Sequence, residues 1–221
     1  MPVRRGYRQA CGIARSLDII GERWSLLIVR ELLLGPKRFT DLRAGLPGAS
    51  PNALTDRLAE LTGSGVIRRR QLPPPAASWV YELTDRGRQL EPIVLALGDW
   101  ALSIPARTEQ TFLSIDSLML NIRTYYTPPD DSPAAGILVR IADDSGTRTF
   151  GVWLDPDGAE VRHEPPEQPD AVITTDIPTL LRVLGNPDQL AKIPKRRLTI
   201  SGDPVTVRRL VAGVTPPQPV R

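Results

Sequence analysis

Ala49-Ser50-Pro51-Asn52-Ala53-Leu54-Thr55-Asp56-Arg57-Leu58-Ala59-Glu60-Leu61 is the stretch that decides the fold of the first half of the chain. Ser50 suits an N-cap, because its hydroxyl can accept an unpaired first-turn amide. Pro51 suits the first helical position, where no amide donor is needed. Leu54, Leu58 and Leu61 fall at i, i+4 and i+7 and form one apolar stripe. Asn52, Thr55, Asp56 and Ala59 point the other way, with Arg57 on the flank. Such a short, polar outer face suits a helix that enters a DNA major groove with its amide end towards phosphate. The same pattern fits an ordinary amphipathic surface helix, so the flanking segments must decide.

Upstream, apolar residues at Ile13, Leu17 and Ile20 give Cys11 to Ile20 helical spacing, and Gly21 breaks it. Trp24, Leu27, Ile28, Glu31 and Leu32 predict a second helix over 23–34, stopped by Gly35-Pro36. Lys37 and Arg38 fall in the turn after it. Phe39 to Arg43 is a short third helix, and Gly45 to Gly48 a turn into the opening stretch. Two short helices joined by a Gly-containing turn make a helix-turn-helix.

Downstream, Gly63 and Gly65 end the helix. Val66 to Arg70 reads as a strand, Leu72 to Ser78 with its three prolines as a loop, and Trp79 to Leu83 as the returning strand. A hairpin directly after a recognition helix is a wing, and Arg68, Arg69 and Arg70 are placed to meet phosphate or a minor groove. Thr84 caps a helix over 85–102. The wide apolar face of that helix (Leu90, Ile93, Val94, Leu97, Trp100) suits a dimer interface or packing on a second domain.

The 221 residues suffice for one large or two small domains. Residues 1–105 hold 15 Lys/Arg against 10 Asp/Glu, and residues 106–221 hold 13 against 15, so an anionic partner is expected for the first half only. Cys11 is the single cysteine, which rules out an internal disulfide and suits a reducing compartment. Arg4, Arg5 and Arg8 precede no apolar run of signal-peptide type. The longest apolar runs are too short to span a bilayer. A cytoplasmic protein without a membrane partner is expected.

Cys11-x-x-Ala14-x-x-Leu17-Asp18-x-Ile20-Gly21-x-x-Trp24, then Leu32-Leu33-Leu34-Gly35-Pro36-x-Arg38-Phe39-x-x-Leu42, then Ser50-Pro51-x-x-Leu54-Thr55-x-Arg57-Leu58-x-x-Leu61, then Tyr81-x-Leu83-Thr84-x-x-Gly87 resembles the HxlR family of bacterial winged-helix regulators over residues 8–104. The resemblance implies a homodimer on a pseudo-palindromic operator, usually as a repressor. It also makes Cys11 a candidate redox sensor, since some members sense electrophiles or oxidants with an N-terminal cysteine. Gly12 departs from the Pro that many members carry there, and Arg8 and Arg15 are the nearby candidate activators. The alternative is a plain buried helix cysteine.

In the second half, 109–122 has helical spacing (Phe112, Ile115, Leu118, Met119, Ile122). Strands are expected over 136–142, 147–154, 159–163, 171–175 and 197–201, and helices over 178–184, 187–193 and 205–212. Asp143-Asp144-Ser145-Gly146 and Asp155 to Gly158 form turns between strands. Asp176 and Gly202-Asp203-Pro204 are helix starts. No metal-ligand spacing, phosphate loop or catalytic set stands out, and His163 beside Glu164 reads as structural or solvated. Neither enzymatic activity nor a cofactor is expected. Ala171-Val172-Ile173-Thr174-Thr175-Asp176-x-x-Thr179-Leu180-Leu181 followed by Leu198-x-Ile200-x-Gly202-Asp203 is similar to the sterol carrier protein type 2 fold. That likeness implies a sheet with helices over one face, enclosing an apolar tunnel for a hydrophobic molecule. The alternative is a solid core in a structural module.

The expectation is thus an α+β protein: a winged helix-turn-helix DNA-binding and dimerisation domain over 1–105, and a sterol-carrier-like ligand-binding domain over 106–221. Its partners are double-stranded DNA, a second copy and a hydrophobic effector. Ser50, Pro51, Asn52 and Thr55 would meet bases or adjacent phosphates, and Lys37, Arg38, Arg57, Arg68, Arg69 and Arg70 would neutralise phosphates. The rival from another class is a lipid or hydrophobic-metabolite carrier whose winged helix serves only to dimerise.

Overall fold

The computed structural model describes residues 6–102, 104, 112–129, 132–143 and 146–215. Arg4 and Arg5, most of the expected boundary (Ser103, Pro105, Ala106), the first three residues of the expected 109–122 helix, the turn residues Asp144 and Ser145 and the stretch from Pro216 lie outside the described residues. The chain divides into two compact units, Met1–Leu97 and Gly98–Arg221.

The first unit contains α1 (Gly12–Ile20), α2 (Ser25–Leu32), α3 (Phe39–Gly45), α4 (Pro51–Gly63), β1 (Ile67–Gln71), β2 (Trp79–Leu83) and α5 (Asp85–Arg88), and α6 (Glu91–Leu102) runs on from it. Leu54, Leu58 and Leu61 of α4 are buried with Ile28, Val29, Leu32 and Leu42. Each buried leucine contributes about 2 kcal/mol, against about 1 kcal/mol for the Ser50 cap. The stripe therefore holds the helix, and the cap sets where it starts. On α1 the inward residues are Ala14 and Ile20, while Ile13 is 75% and Leu17 40% exposed. The expected continuous helix over 85–102 is interrupted between Arg88 and Glu91. Pro92 is the cause: it has no amide to give the Arg88 carbonyl, and its ring crowds that oxygen.

A polar connection at the base of the hairpin was not anticipated. Lys37 is not a surface residue of a turn. It is 3% exposed, and its Nζ donates to Glu31 Oε2 at 2.6 Å, while Glu31, itself fully buried, also meets Arg30 at 2.7 Å. The backbone of Lys37 pairs with that of Tyr81 in both directions, at 2.9 and 2.7 Å, so it forms a one-residue third strand beside β2. Gly45 lies against the Glu31 carboxylate, where any Cβ would collide.

The second unit starts its described helices with α7 (Ile115–Tyr125), capped by Ser114. Five strands come after it: β3 (Ala135–Asp143), β4 (Gly146–Asp155), β5 (Gly158–Arg162), β6 (Ala171–Asp176) and β7 (Leu198–Gly202). Their spatial order is β5-β4-β3-β6-β7, with β3 and β6 parallel and the other pairs antiparallel. Ile137, Val139 and Ile141 of β3 alternate with the more exposed Arg140 and Ala142, as a sheet covered on one side requires. α7, α8 (Ile177–Val183) and α9 (Pro204–Gly213) supply the cover through Met119, Ile122, Leu180, Val183, Val207 and Leu210. Asp176 and Asp203 cap α8 and α9 as expected. Phe150, Val152, Met119 and Ile122 have no exposed surface. His163 is not isolated: its Nε2 lies 2.9 Å from Asp116 Oδ1, its ring packs on Phe150, and Arg148 meets the other Asp116 oxygen at 3.2 Å. This group ties α7 to β4 and to the end of β5.

Replacing Glu31 by Gln removes a carboxylate from a buried ammonium, a change that typically costs about 3 kcal/mol. Urea unfolding of Glu31→Gln should show that loss, and an unchanged midpoint would exclude the pair as the anchor of the hairpin base.

Candidate nucleic-acid interface

Ser50 begins α4 with backbone angles of the extended region, and its Oγ accepts from the Ala53 amide at 3.2 Å. Pro51, Asn52, Thr55 and Asp56 are exposed, whereas the three leucines behind them are buried. The Thr55 hydroxyl donates to the Pro51 carbonyl at 2.9 Å, which leaves its oxygen lone pairs and methyl group facing outward. Among the described residues, no side-chain hydrogen bond occupies Asn52, so its amide is free to pair with an adenine edge, which demands one donor and one acceptor together. Asp56 shares this face. Its carboxylate can accept from a cytosine amino group and repels phosphate.

The predicted cations separate into distinct groups. Lys37 leaves the set, because its charge is spent on buried Glu31. Arg57 is 17% exposed and bound to Glu60 at 2.6 Å, with Glu22 at 3.8 Å. It braces α4 against the segment before α2 and is not a free phosphate ligand. Arg38 is exposed at the start of α3, where its backbone amide donates to Asp41 at 3.1 Å. Arg43 also stands exposed in the last turn of α3, next to the turn into α4. Sequence reasoning passed over it, although a basic residue closing the first helix of the motif was visible.

The three arginines of β1 do not act as one run. The strand alternates, so Arg68 and Arg70 share one side and Arg69 takes the other. Arg68 and Arg70 each donate Nε to a different oxygen of Glu82, both at 2.7 Å. Burial alone would raise the Glu82 pKa, but the hydrogen bonds from Arg70 and Arg68 outweigh it and hold the carboxyl below the usual carboxylate range. Arg69 has no carboxylate partner among the described residues. Its guanidinium lies 4.5 Å from the centre of the Trp79 ring and 6.0 Å from that of Tyr81. An arginine spread on an indole keeps its charge and its donors while losing side-chain freedom before any ligand arrives. Trp79, the other residue not foreseen, thus orients the one uncompensated cation of the hairpin arginines.

Cys11 is exposed, unlike a buried helix cysteine. It is the N-cap of α1, where its Sγ accepts from the Ala14 amide at 3.3 Å. Among the described residues, no helix is long and apolar enough to cross a membrane.

Residues 19–108 match the family model described as HxlR-like helix-turn-helix, and residues 109–221 lie outside that match. The chain is 40% identical over 87 residues to the uncharacterized HTH-type transcriptional regulator YvaP of Bacillus subtilis (strain 168), covering 39% of this chain and 81% of that one. It is 39% identical over 95 residues to YdeP, an uncharacterized HTH-type transcriptional regulator of the same strain, with 42% and 72% covered. The solved reduced form of the transcriptional regulator YodB from B. subtilis is 30% identical, with a TM-score of 0.39, 47% of this chain and 100% of that chain covered.

Glu82 has a folded-state pKa below its unfolded value of about 4.3. Its contribution to stability is therefore complete above that value and is lost as pH falls through the folded pKa. Glu82→Gln should flatten the acid limb of the first unit's unfolding midpoint below about pH 4.3. Circular dichroism melts at stepped pH measure this, and an acid limb identical to the parent's would remove Glu82 from the hairpin's electrostatics.

Proposed function

This chain belongs to the HxlR-like helix-turn-helix family and is a DNA-binding transcriptional regulator, and from that premise we propose how it reads DNA and what it answers to. It acts as a homodimeric repressor on a pseudo-palindromic operator. The two α4 helices enter successive major grooves about 34 Å apart. The observation that carries this is the free amide of Asn52, exposed on the outer face of a helix anchored by Leu54, Leu58 and Leu61. Asn52 and Thr55 read base edges, and the Ser50–Pro51 start brings the amide end of α4 to phosphate. Arg69, Arg38 and Arg43 neutralise phosphates, with Arg68 and Arg70 held in reserve by Glu82. Ile13 and Leu17 on α1, and Ile93, Leu97 and Trp100 on α6, are exposed apolar side chains of the kind a second copy covers.

Residues 1–105 form the DNA-binding and dimerisation domain, and residues 106–221 are the input. The family match ends at residue 108, which supports a separate role for the second half of the chain. Helices over one face of a sheet are also what the likeness to sterol carrier protein type 2 implies. Phe150, Val152, Met119 and Ile122 have no exposed surface, so a hydrophobic effector that reaches them displaces the helix layer. It regulates DNA binding only through different affinities for the two states. A carrier that uses its winged helix only to dimerise is set aside, since the curated relatives are named transcriptional regulators.

Asn52→Ala should cost about 1–3 kcal/mol on the operator and little on unrelated duplex, whereas Arg69→Ala should weaken both alike and reduce the salt slope by about 0.9. Fluorescence anisotropy on both duplexes across a salt series measures the two effects. Equal losses on both duplexes for Asn52→Ala would end its assignment as a base reader. Total lipid extract added to the operator complex tests the effector, and indifference of the complex would reject it.

Exposure of Cys11 favours a second input, in which oxidation of the thiol alters DNA binding. Diamide, itself reduced by two electrons and two protons as it joins the Cys11 thiols of two copies in an intermolecular disulfide, should then release the parent from its operator and leave Cys11→Ser bound. An equal response from both proteins would reject the thiol as a sensor.

A further inference from the structure

Residues 106–221 hold 13 basic against 15 acidic side chains, and four of the 13, Lys192, Lys195, Arg196 and Arg197, fall within six residues. All four are exposed. They are carried by the end of the 3-10 turn Pro187–Lys192 and by the tight turn after it, where the Pro194 carbonyl accepts from the amides of both Arg197 and Leu198. That turn closes the backbone on itself and leaves the side chains outside. Among the described residues, no acidic side chain pairs with any of the four, whereas Arg148, Arg162 and Arg208 of the same unit all have carboxylate partners. Four uncompensated cations on an otherwise acidic unit make a local anion-attracting surface.

Cations near an edge strand often guard it against pairing with another chain. Here β7 is the edge, yet its own residues Leu198–Gly202 carry no charge, and the cations precede the strand. Edge protection therefore explains them poorly. A polyanion explains them better, and the DNA that a regulator of this family binds is one. The two units belong to one chain and are joined directly at Leu97–Gly98, within α6. Once α4 is seated, duplex outside the half-sites is thus present at high effective concentration around the second unit.

We propose that Lys192, Lys195, Arg196 and Arg197 form a second, sequence-independent DNA contact that takes the phosphates flanking the operator. This rests on the DNA-reading role of α4 and the wing. The contact lengthens the footprint and steepens the salt dependence without adding base recognition.

The test uses the full chain and an operator recovered by selection from random duplexes, either minimal or extended by about one and a half helical turns on each side. The parent should bind the extended duplex several-fold tighter at low salt and protect backbone beyond the half-sites from hydroxyl radical. The triple variant Lys195→Gln, Arg196→Gln, Arg197→Gln should lose both effects. Its salt slope on the extended duplex should fall by up to about 2.7, at about 0.9 per phosphate contact, with minimal-operator affinity unchanged. No gain from length in the parent, or a full gain in the variant, overturns the contact. So does a variant that keeps the gain but aggregates, which would assign the cations to the β7 edge. Failure of the parent to select any operator would instead overturn the underlying reading of α4.

Discussion

One buried ion pair ties the start of α3 to the base of the hairpin in the DNA-reading unit. Glu31 sits inside the helical core and would be costly there alone. Lys37 reaches it from the chain between α2 and α3, and the same residue zips its backbone to Tyr81. The pair therefore fixes the start of α3 and the base of the hairpin in one step. Tyr81 then supports Arg69, and its neighbour Glu82 collects Arg68 and Arg70. Gly45 is part of the same arrangement, since the carboxylate occupies the space a side chain would need.

This economy of charge changes how the basic surface is understood. A sequence with 15 basic residues in its first 105 suggests a broad cationic face. In the folded unit several of those cations are engaged: Arg30 and Lys37 by Glu31, Arg57 by Glu60, Arg68 and Arg70 by Glu82. Long-range attraction for phosphate remains, because net charge is unaffected by internal pairing. Near α4 and the hairpin, Arg38, Arg43 and Arg69 are exposed without a carboxylate partner among the described residues, and the proposed reading gives close contact to them. An interface with few free cations leans more on base edges than one coated in them.

The features legible in the sequence were those that local chemistry decides. Ser50-Pro51 marked the start of α4, leucine spacing gave its buried face, the strand Trp79–Leu83 was read to the residue, and Thr84, Asp176 and Asp203 cap as their types suggest. Pro92 stood in plain view within the expected long helix, and the break before it is a local effect of the same kind. What escaped was set by partners distant in sequence or by which side of a strand a residue faces. Lys37 and Arg38 look equivalent side by side, yet one points at Glu31 and the other at solvent. Arg68, Arg69 and Arg70 read as one cluster until strand alternation and Glu82, 12 to 14 residues away, divide them. Family resemblance supplied the fold of the first unit more securely than composition could, and ended where the match ends.

The strand order of the second unit bears on the sequence of events during synthesis. β3 lies at the centre of the sheet, but its parallel neighbour β6 comes after two intervening strands, and β7 comes after a further helix. Pairings so distant along the chain are slow to form. The first unit instead has its helices and hairpin complete within contiguous sequence, and domains tend to fold as units while the ribosome is still adding residues. The half that recognises DNA can therefore be native while the central sheet of the other half still waits for its last strands, so a nascent chain would acquire its output before the input proposed for it.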